Sequence, residues 1–363
     1  MTFSFGGTKL HGFVMISSLV VGIATTQPAF ADAAPKAGVV ATVRNDVQGE
    51  TGGAVHALLS GGAVFENDVV RTGKTGSAEL LFLDQTNLKI APGSDVKIDK
   101  FAYDPNASSG TVAIGVAKGA LRFVTGAQDP RNYEIKTAVA TIGVRGTILN
   151  IVATNDALAV VLADGKAIVT GKDGKTSTME VKGNLVLIGP DGSTVDQSGS
   201  LTDAVAKLIQ SSDNPAATAA QILAAIGAVG SEASAQNLQD IAAGIAQAGV
   251  GSDDLSRAVS DYVQGSVDQA EAASDIVSGA KYFDDNLKAA TGKGLADAAS
   301  EIGKSDPTTA TEIDGAVEGS GDPKMQDSYS QQKESTRGID NNNGGSDSLL
   351  QNQQQQQQQQ SPN

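Results

Sequence analysis

The side chains able to do chemistry are few, and most are carboxylates. The chain holds two histidines, His11 and His56, and no cysteine. Thiolate catalysis, disulfides, Cys-based zinc sites and N-terminal lipid attachment are therefore excluded, and so is a histidine zinc cluster. A Ser-His-Asp relay would have to use His56, yet no G-x-S-x-G elbow lies beside it, so His56 reads as a surface or half-buried strand residue. Asp84, Asp95, Asp99 and Asp104 fall close together. Two carboxylates at the right separation can hydrolyse a glycosidic bond, but a sugar groove is usually lined by aromatic rings. This stretch offers Phe82, Phe101 and Tyr103. The four carboxylates are expected to be solvated turn residues. They lack the EF-hand spacing and the glycine-aspartate nonapeptide that would make them a calcium loop. No phosphate loop or dinucleotide fingerprint follows a strand and opens a helix, and Gly115 and Gly143 read as strand glycines.

Val144-Arg145-Gly146-Thr147 is the sharpest local motif. Gly146 allows a bulge or turn inside a strand. Arg145 carries a planar five-donor fork able to grip carbonyls or a carboxylate. It is either a ligand or partner contact or an internal clamp on neighbouring carbonyls, and the clamp is the expectation. Arg71, in Val70-Arg71-Thr72-Gly73, has the same two readings.

These residues must be positioned by a chain of 363 residues with net charge −15. Aromatic residues make up 4%, tryptophan is absent and glycine numbers 42. These numbers imply a modest core of Val, Ile, Leu and Ala. The acidic balance disfavours nucleic acid and anionic membranes as partners. At the N-terminus Lys9 precedes an uncharged apolar run from Gly12 to Ala24, and Ala29-Phe30-Ala31 supplies a small-x-small cleavage site. This is the pattern of an export signal over residues 1–31, with Asp32 the expected first residue after cleavage. The run is shorter than the roughly 18 residues a spanning helix needs, so no stable membrane span is expected once it is removed.

Residues 38–198 are dense in short strand patterns separated by turns, the spacing of an all-β domain. Strands are expected at 39–43, 78–83, 87–90, 111–116, 121–125, 133–136 and 147–152. A hairpin is expected around Asp164-Gly165, joining 158–162 to 167–170, and Asp173-Gly174 marks another turn. Residues 200–317 turn Ala-rich with helical spacing. Thr218 and Gln221 suggest a capping box, and Ser252-Asp253-Asp254 precedes a stripe of Leu255, Val259, Tyr262, Val263 and Val267. Gly227, Gly230, Gly249, Gly251 and Gly279 divide this region. Alanine buries little area, so these helices are expected to pack weakly or to need a partner. Residues 318–363, ending near the run Gln353 to Gln360, are expected to be disordered.

Three phrases in the β-rich segment follow one family pattern. Asn67-Asp68-Val69-Val70-Arg71-Thr72-Gly73 matches GD.V.TG, with Asn67 where glycine is usual. Ser77-Ala78-Glu79-Leu80 and Leu83-Asp84-Gln85-Thr86 match the next phrase, with Gln85 in place of glycine. Val144-Arg145-Gly146-Thr147 and Ile148 to Ile151 match the last. On these residues the segment resembles the FecR domain, an extracytoplasmic module of regulators of ferric-siderophore uptake. The resemblance implies an all-β domain, a sandwich or a short solenoid, with Arg71, Gly73, Asp84, Arg145, Gly146 and Thr147 as its fold or partner motif. It implies a non-enzymatic binding or scaffolding role with no cofactor, toward an envelope protein or polysaccharide. In the family's regulators a cytoplasmic anti-sigma segment and a membrane helix precede the domain, and here an export signal stands there. Two other readings are a periplasmic regulator or sensor and a carboxylate-based polysaccharide hydrolase.

Overall fold

The structure, a computed structural model, describes residues 1–2, 34–104, 109–190, 192, 194–195 and 201–337. The export signal, with Ala29 and Ala31, and the Gln run lie outside the described residues. The chain divides into Met1–Ala33 and Ala34–Asn363, and all the described strands and helices belong to the second unit.

The first half of this unit is all strand: β1 (Lys36–Arg44), β2 (Val47–Thr51), β3 (Ala54–Ala57), β4 (Ala63–Phe65), β5 (Val69–Thr72), β6 (Ser77–Phe82), β7 (Asn87–Ile90) and β8 (Asp95–Asp104). Then come β9 (Ser109–Val124), β10 (Tyr133–Thr137), β11 (Ala140–Ala153), β12 (Leu158–Gly171), β13 (Thr176–Met179), β14 (Leu185–Ile188) and β15 (Thr194–Val195). The helices are α1 (Leu201–Gln210), α2 (Pro215–Gly227), α3 (Ala235–Gln247), α4 (Ser252–Gly265), α5 (Gln269–Gly279), α6 (Asp285–Ile302), α7 (Pro307–Gly319) and a last helix, α8, over residues 323–337.

The strands form one hydrogen-bonded network folded around an interior of Val, Ile, Leu and Phe contributed by β1, β2 and β4 through β14, while β3 is exposed. Pairing is antiparallel except between β9 and β10. Two long strands make the fold turn. One half of β9 pairs with β8 and β10, and the other with β7 and β11. The halves meet at Gly119, whose φ is +102°. Strands expected at 111–116 and 121–125 are therefore one strand with a bend. β12 corrects the hairpin expected at Asp164-Gly165 in the same way. It runs unbroken beside β11, and the register slips between Arg145 and Leu149 opposite Asp164. Gly165, at φ +80°, sits in this bulge, where a Cβ would collide with the carbonyl of Gly146. A left-handed glycine between apolar stretches serves a bulge as well as a two-residue turn, and local sequence does not separate the two. The β11–β12 hairpin instead closes at Thr154 and Ala157, whose N–H groups each find the other residue's carbonyl or hydroxyl. Gly174 does turn the chain, between β12 and β13.

The bulge divides β12 into two environments. Leu158 to Leu162 are buried on both faces, whereas from Lys166 to Thr170 exposed and buried residues alternate. Leu158, Val160 and Leu162 join the sheet interior, while Ala159 and Val161 face the helices. They share that second core with Val152, Leu185 and Leu187 of neighbouring strands and with residues of α1 to α8. The helical layer is therefore packed onto the sheet, contrary to the expected weak association. Burying both faces of a central strand needs an unbroken apolar run, and residues 158–162 supply one.

Two further expectations are corrected here. α2 is capped by Asn214, which accepts from the Ala217 N–H with Pro215 at the first position, so Thr218 lies inside the helix. Gln221 reaches out of the helix, its Nε2 donating to the Pro92 carbonyl at 2.9 Å. The tail expected from 318 begins instead with α8, which buries Met325 and Tyr329 in the helical core. Two apolar residues one turn apart on an otherwise polar helix are a faint sequence signal, and the groove beside α6 and α7 makes them effective.

Candidate functional site

The residues singled out from sequence fall into two groups. In the first, Arg71 on β5 is tied across the sheet. Its Nη1 lies 2.7 Å from Glu50 on β2 and its Nε 3.1 Å from Asp95 on β8, and both bonds raise its pKa. Asp95 is thus committed to a cross-strand ion pair, and Asp99 pairs with Lys97 at 2.9 Å. The Thr72 hydroxyl donates to the Ala91 carbonyl and accepts from the Ser94 N–H, each at 2.8 Å. Gly73 donates its N–H to the Asp46 carbonyl and accepts from the N–H groups of Gly76 and Gly93. A Cβ on Gly73 would crowd Asp46. These bonds lash the turns at 73–76 and 91–94 together.

The second group is built around Asp84, which is 0% exposed and not the solvated turn carboxylate expected. One oxygen accepts from the Thr86 N–H at 3.0 Å. The other accepts from the Thr86 hydroxyl at 2.8 Å, Gln128 Nε2 at 3.1 Å and the Tyr133 hydroxyl at 2.8 Å. Burial pushes the Tyr133 phenol up to about 12. Backbone bonds from Ala127 to Asp84 and between Thr125 and Thr147 join this knot to the bulge of β11. There Gly146 takes φ +59° and Thr147 is 1% exposed. The Thr147 hydroxyl accepts from the Arg145 N–H at 2.8 Å and donates to the Lys166 carbonyl at 2.6 Å. The clamp expected of Arg145 is made by Thr147. The Arg145 side chain is exposed and makes no hydrogen bond or ion pair among the described residues.

Asn67 and Gln85, which replace the family's glycines, sit at φ +71° and +69°. Both positions demand the left-handed conformation that glycine adopts freely and asparagine tolerates, but glutamine adopts only at a cost.

Two features at the junction of sheet and helices escape sequence reasoning. A cleft of about 610 Å³ opens between the 73–76 and 91–94 turns, the bend of β9 and the starts of α2 and α4. Lys74, Lys118 and Arg257 stand in it beside Asp213, Asp254 and Asp261, with Lys118 bonded to Asp213 at 3.0 Å and Arg257 paired to Asp254. Deeper in the junction lies a polar layer with a cavity of about 80 Å³. Arg122 donates to Asn150 at 3.2 Å, Asn150 to the Ala225 carbonyl at 3.3 Å, and Lys89 bonds Glu271 at 2.7 Å. Asp275 on α5 faces this layer. Burial, then the charge of Glu271, pushes its pKa to about 7 against the pull of Arg122 and Lys89. No local motif marks these side chains, because only the folded chain places residues 89, 122 and 275 together. Among the described residues no three His, Cys, Asp or Glu side chains cluster to hold a metal. No described helix is long and apolar enough to cross a membrane.

Residues 68–168 match the family model of the FecR protein. Over that stretch the chain is similar to a FecR domain. The match begins at Asp68, just before β5, and ends on β12 past the bulge, so the matched stretch contains both groups of motif residues. A search of curated proteins finds no match. Two crystal structures of a candidate anti-sigma factor from Parabacteroides distasonis are similar at 14% and 13% identity, with TM-scores of 0.30 and 0.29. Each alignment covers 36% of this chain and 58% of that one. The present chain thus spans a little over half the length of the neighbours it matches.

Proposed function

We propose that the protein is an exported, non-enzymatic FecR-domain module that binds an envelope protein or polysaccharide, in a regulatory role. The observation that carries this reading is the match of residues 68–168 to the FecR family model. The commitments of its chemical groups support it. Asp84 is sealed inside the fold, Asp95 is held in a cross-strand ion pair and Asp99 pairs with Lys97 on its own strand, so three of the four carboxylates considered for hydrolysis are engaged within the protein. Among the described residues a polar cleft and an exposed sheet face are open to recognition. Pull-down of the exported chain from an envelope fraction, with partners identified by mass spectrometry, tests the role. A specific partner that is lost when the FecR domain is unfolded is expected, and recovery of none rejects it. N-terminal sequencing tests export, with Asp32 expected and an intact Met1 contradicting it.

The sensor reading is favoured by Asp275, whose pKa of about 7 at the sheet–helix junction would let a proton change that layer. Partner capture that differs between pH 6 and pH 8 in the native chain, but not in Asp275→Asn, would support it.

A further inference from the structure

The strand alternation of β11 places Arg145, just before the bulge, on an open face made by β10, β11 and β12. Along β11 the outward positions of this face are Thr141, Gly143 and Arg145. Cross-strand pairing sets Gly143 between Glu134 and Ile168, and Arg145 beside Lys166. Three cations here are held by neighbouring carboxylates: Arg131 by Asp129 at 2.7 Å, Lys136 by Glu134 at 3.1 Å and Lys166 by Glu180 at 2.8 Å. Arg145 is left without such a partner, and its charge contributes only weakly to lowering the pKa of Asp129. Across Gly143 from it lies a depression of about 400 Å³ lined by Tyr133, Thr141, Ile168 and Thr170 and by the ion-paired Arg131 and Glu134. Gly143 forms its floor, and a Cβ there would meet nothing within 4 Å. Ile168, an aliphatic side chain on an exposed strand face, is 49% accessible.

We propose that this face docks an acidic segment of a partner protein: a carboxylate of the segment pairs with Arg145, and an adjacent apolar side chain fills the space over Gly143 against Ile168. The proposal rests on the partner-binding reading and narrows it to one surface and one chemistry. A guanidinium with its fork unoccupied is matched by a carboxylate, which it can grip with two parallel bonds. An apolar side chain would bury the exposed part of Ile168 and the glycine floor. The acidity of the whole chain does not forbid this, because charges beyond about 8 Å are largely screened at physiological ionic strength.

Two variants test the face without threatening the fold. Arg145→Glu changes a side chain that holds nothing, and Gly143→Phe adds a ring where the backbone is not left-handed and space is open. The probes are short fluorescein-labelled peptides with one phenylalanine flanked by glutamates, and the same peptides with glutamine in place of glutamate. With the full exported chain, saturable binding of the acidic peptide is expected by polarisation. It should weaken about tenfold or more in each variant and for the glutamine peptide, with melting temperatures unchanged. A photo-crosslinker at Thr141 should capture the envelope partner. Acidic and neutral peptides that bind equally, or variants that bind like the native chain, would overturn the proposal. Capture of a partner through a crosslinker at Asp213, in the cleft, but not at Thr141 would overturn this surface while leaving the partner-binding reading in place. No capture at either position and no peptide binding would reject both.

Discussion

The sheet and the helical layer exclude water with different inventories. Inside the sheet the buried residues are mostly Val, Ile and Leu, reinforced by an edge-on contact between Phe82 and Phe101 and another between Phe123 and Tyr133. In the helical layer alanine is the commonest buried residue and Phe283 and Tyr329 are the buried rings. Area per side chain is small there, so cohesion depends on close backbone approach. A Cβ on Gly227 of α2 would strike the Asp275 carbonyl of α5, and one on Gly294 of α6 would strike the Ser256 carbonyl of α4. Low side-chain area does not mean loose packing where small residues let helix backbones close up. The sheet tolerates distance and fills it, whereas the helices remove the distance.

The largest effect should come from breaking that close approach. Gly227→Val is expected to destabilise by more than about 3 kcal/mol, the upper end of overpacking, because the obstacle is backbone. Strand and helix residues share one core, so thermal melting should remain a single transition at lower temperature. Two separated transitions, with the strand signal unmoved, would show that the layers are independent.

Next in size is the polar knot in the sheet. Asp84→Ala leaves the donors of Thr86, Gln128 and Tyr133 without an acceptor and should cost about 2–4 kcal/mol by denaturant unfolding. A loss below about 1 kcal/mol would show that the knot is incidental to the FecR domain.

The junction between the regions supplies the third test. Asp275 has a folded pKa of about 7 against an ordinary value of 3.8. The folded state holds the proton more tightly, so this group's contribution is fully present below pH 3.8 and is lost as pH rises through about 7. The groups facing it are Glu271 on its own helix, Asp268 at that helix's N-cap, Tyr262 on α4, and Arg122 and Lys89 from the sheet. Asp275→Asn should therefore be stabilising at pH 8, by about 1–2 kcal/mol, with the advantage shrinking toward pH 4. A pH-independent difference would refute the assignment.

The smallest effect concerns one turn. Gln85→Gly should stabilise by about 0.5–1 kcal/mol by relieving a left-handed non-glycine residue. Asn67→Gly should gain less, since asparagine tolerates that region. A destabilised Gln85→Gly chain would mean that the glutamine side chain contributes more than its backbone costs.

Much of the sheet was legible in the sequence. Alternating apolar residues in 78–83, 87–90 and 133–136 place β6, β7 and β10, and the phrases around Arg71, Asp84 and Arg145 carry the FecR resemblance. The strand at Asp95–Asp104 was missed, because its alternating charges look like a turn until Val96, Ile98 and Phe101 are seen buried. α8 was hidden by its polar composition. The proposed docking face was half legible. Arg145 and Gly146 stood out, but the assignment of the clamp to Thr147 needed hydrogen-bond partners from β9 and β12.

The sequence by itself determined what depends on neighbours along the chain: strand and helix periodicity, the positions that need a left-handed backbone, and the absence of thiols. Tertiary structure alone decided which glycines bend a strand and which end one, and whether an alanine-rich helix packs. It also decided that Asp84 is buried while Arg145 stands free. Those outcomes depend on what lies across the sheet or against the next helix, at sequence separations where local pattern carries no information.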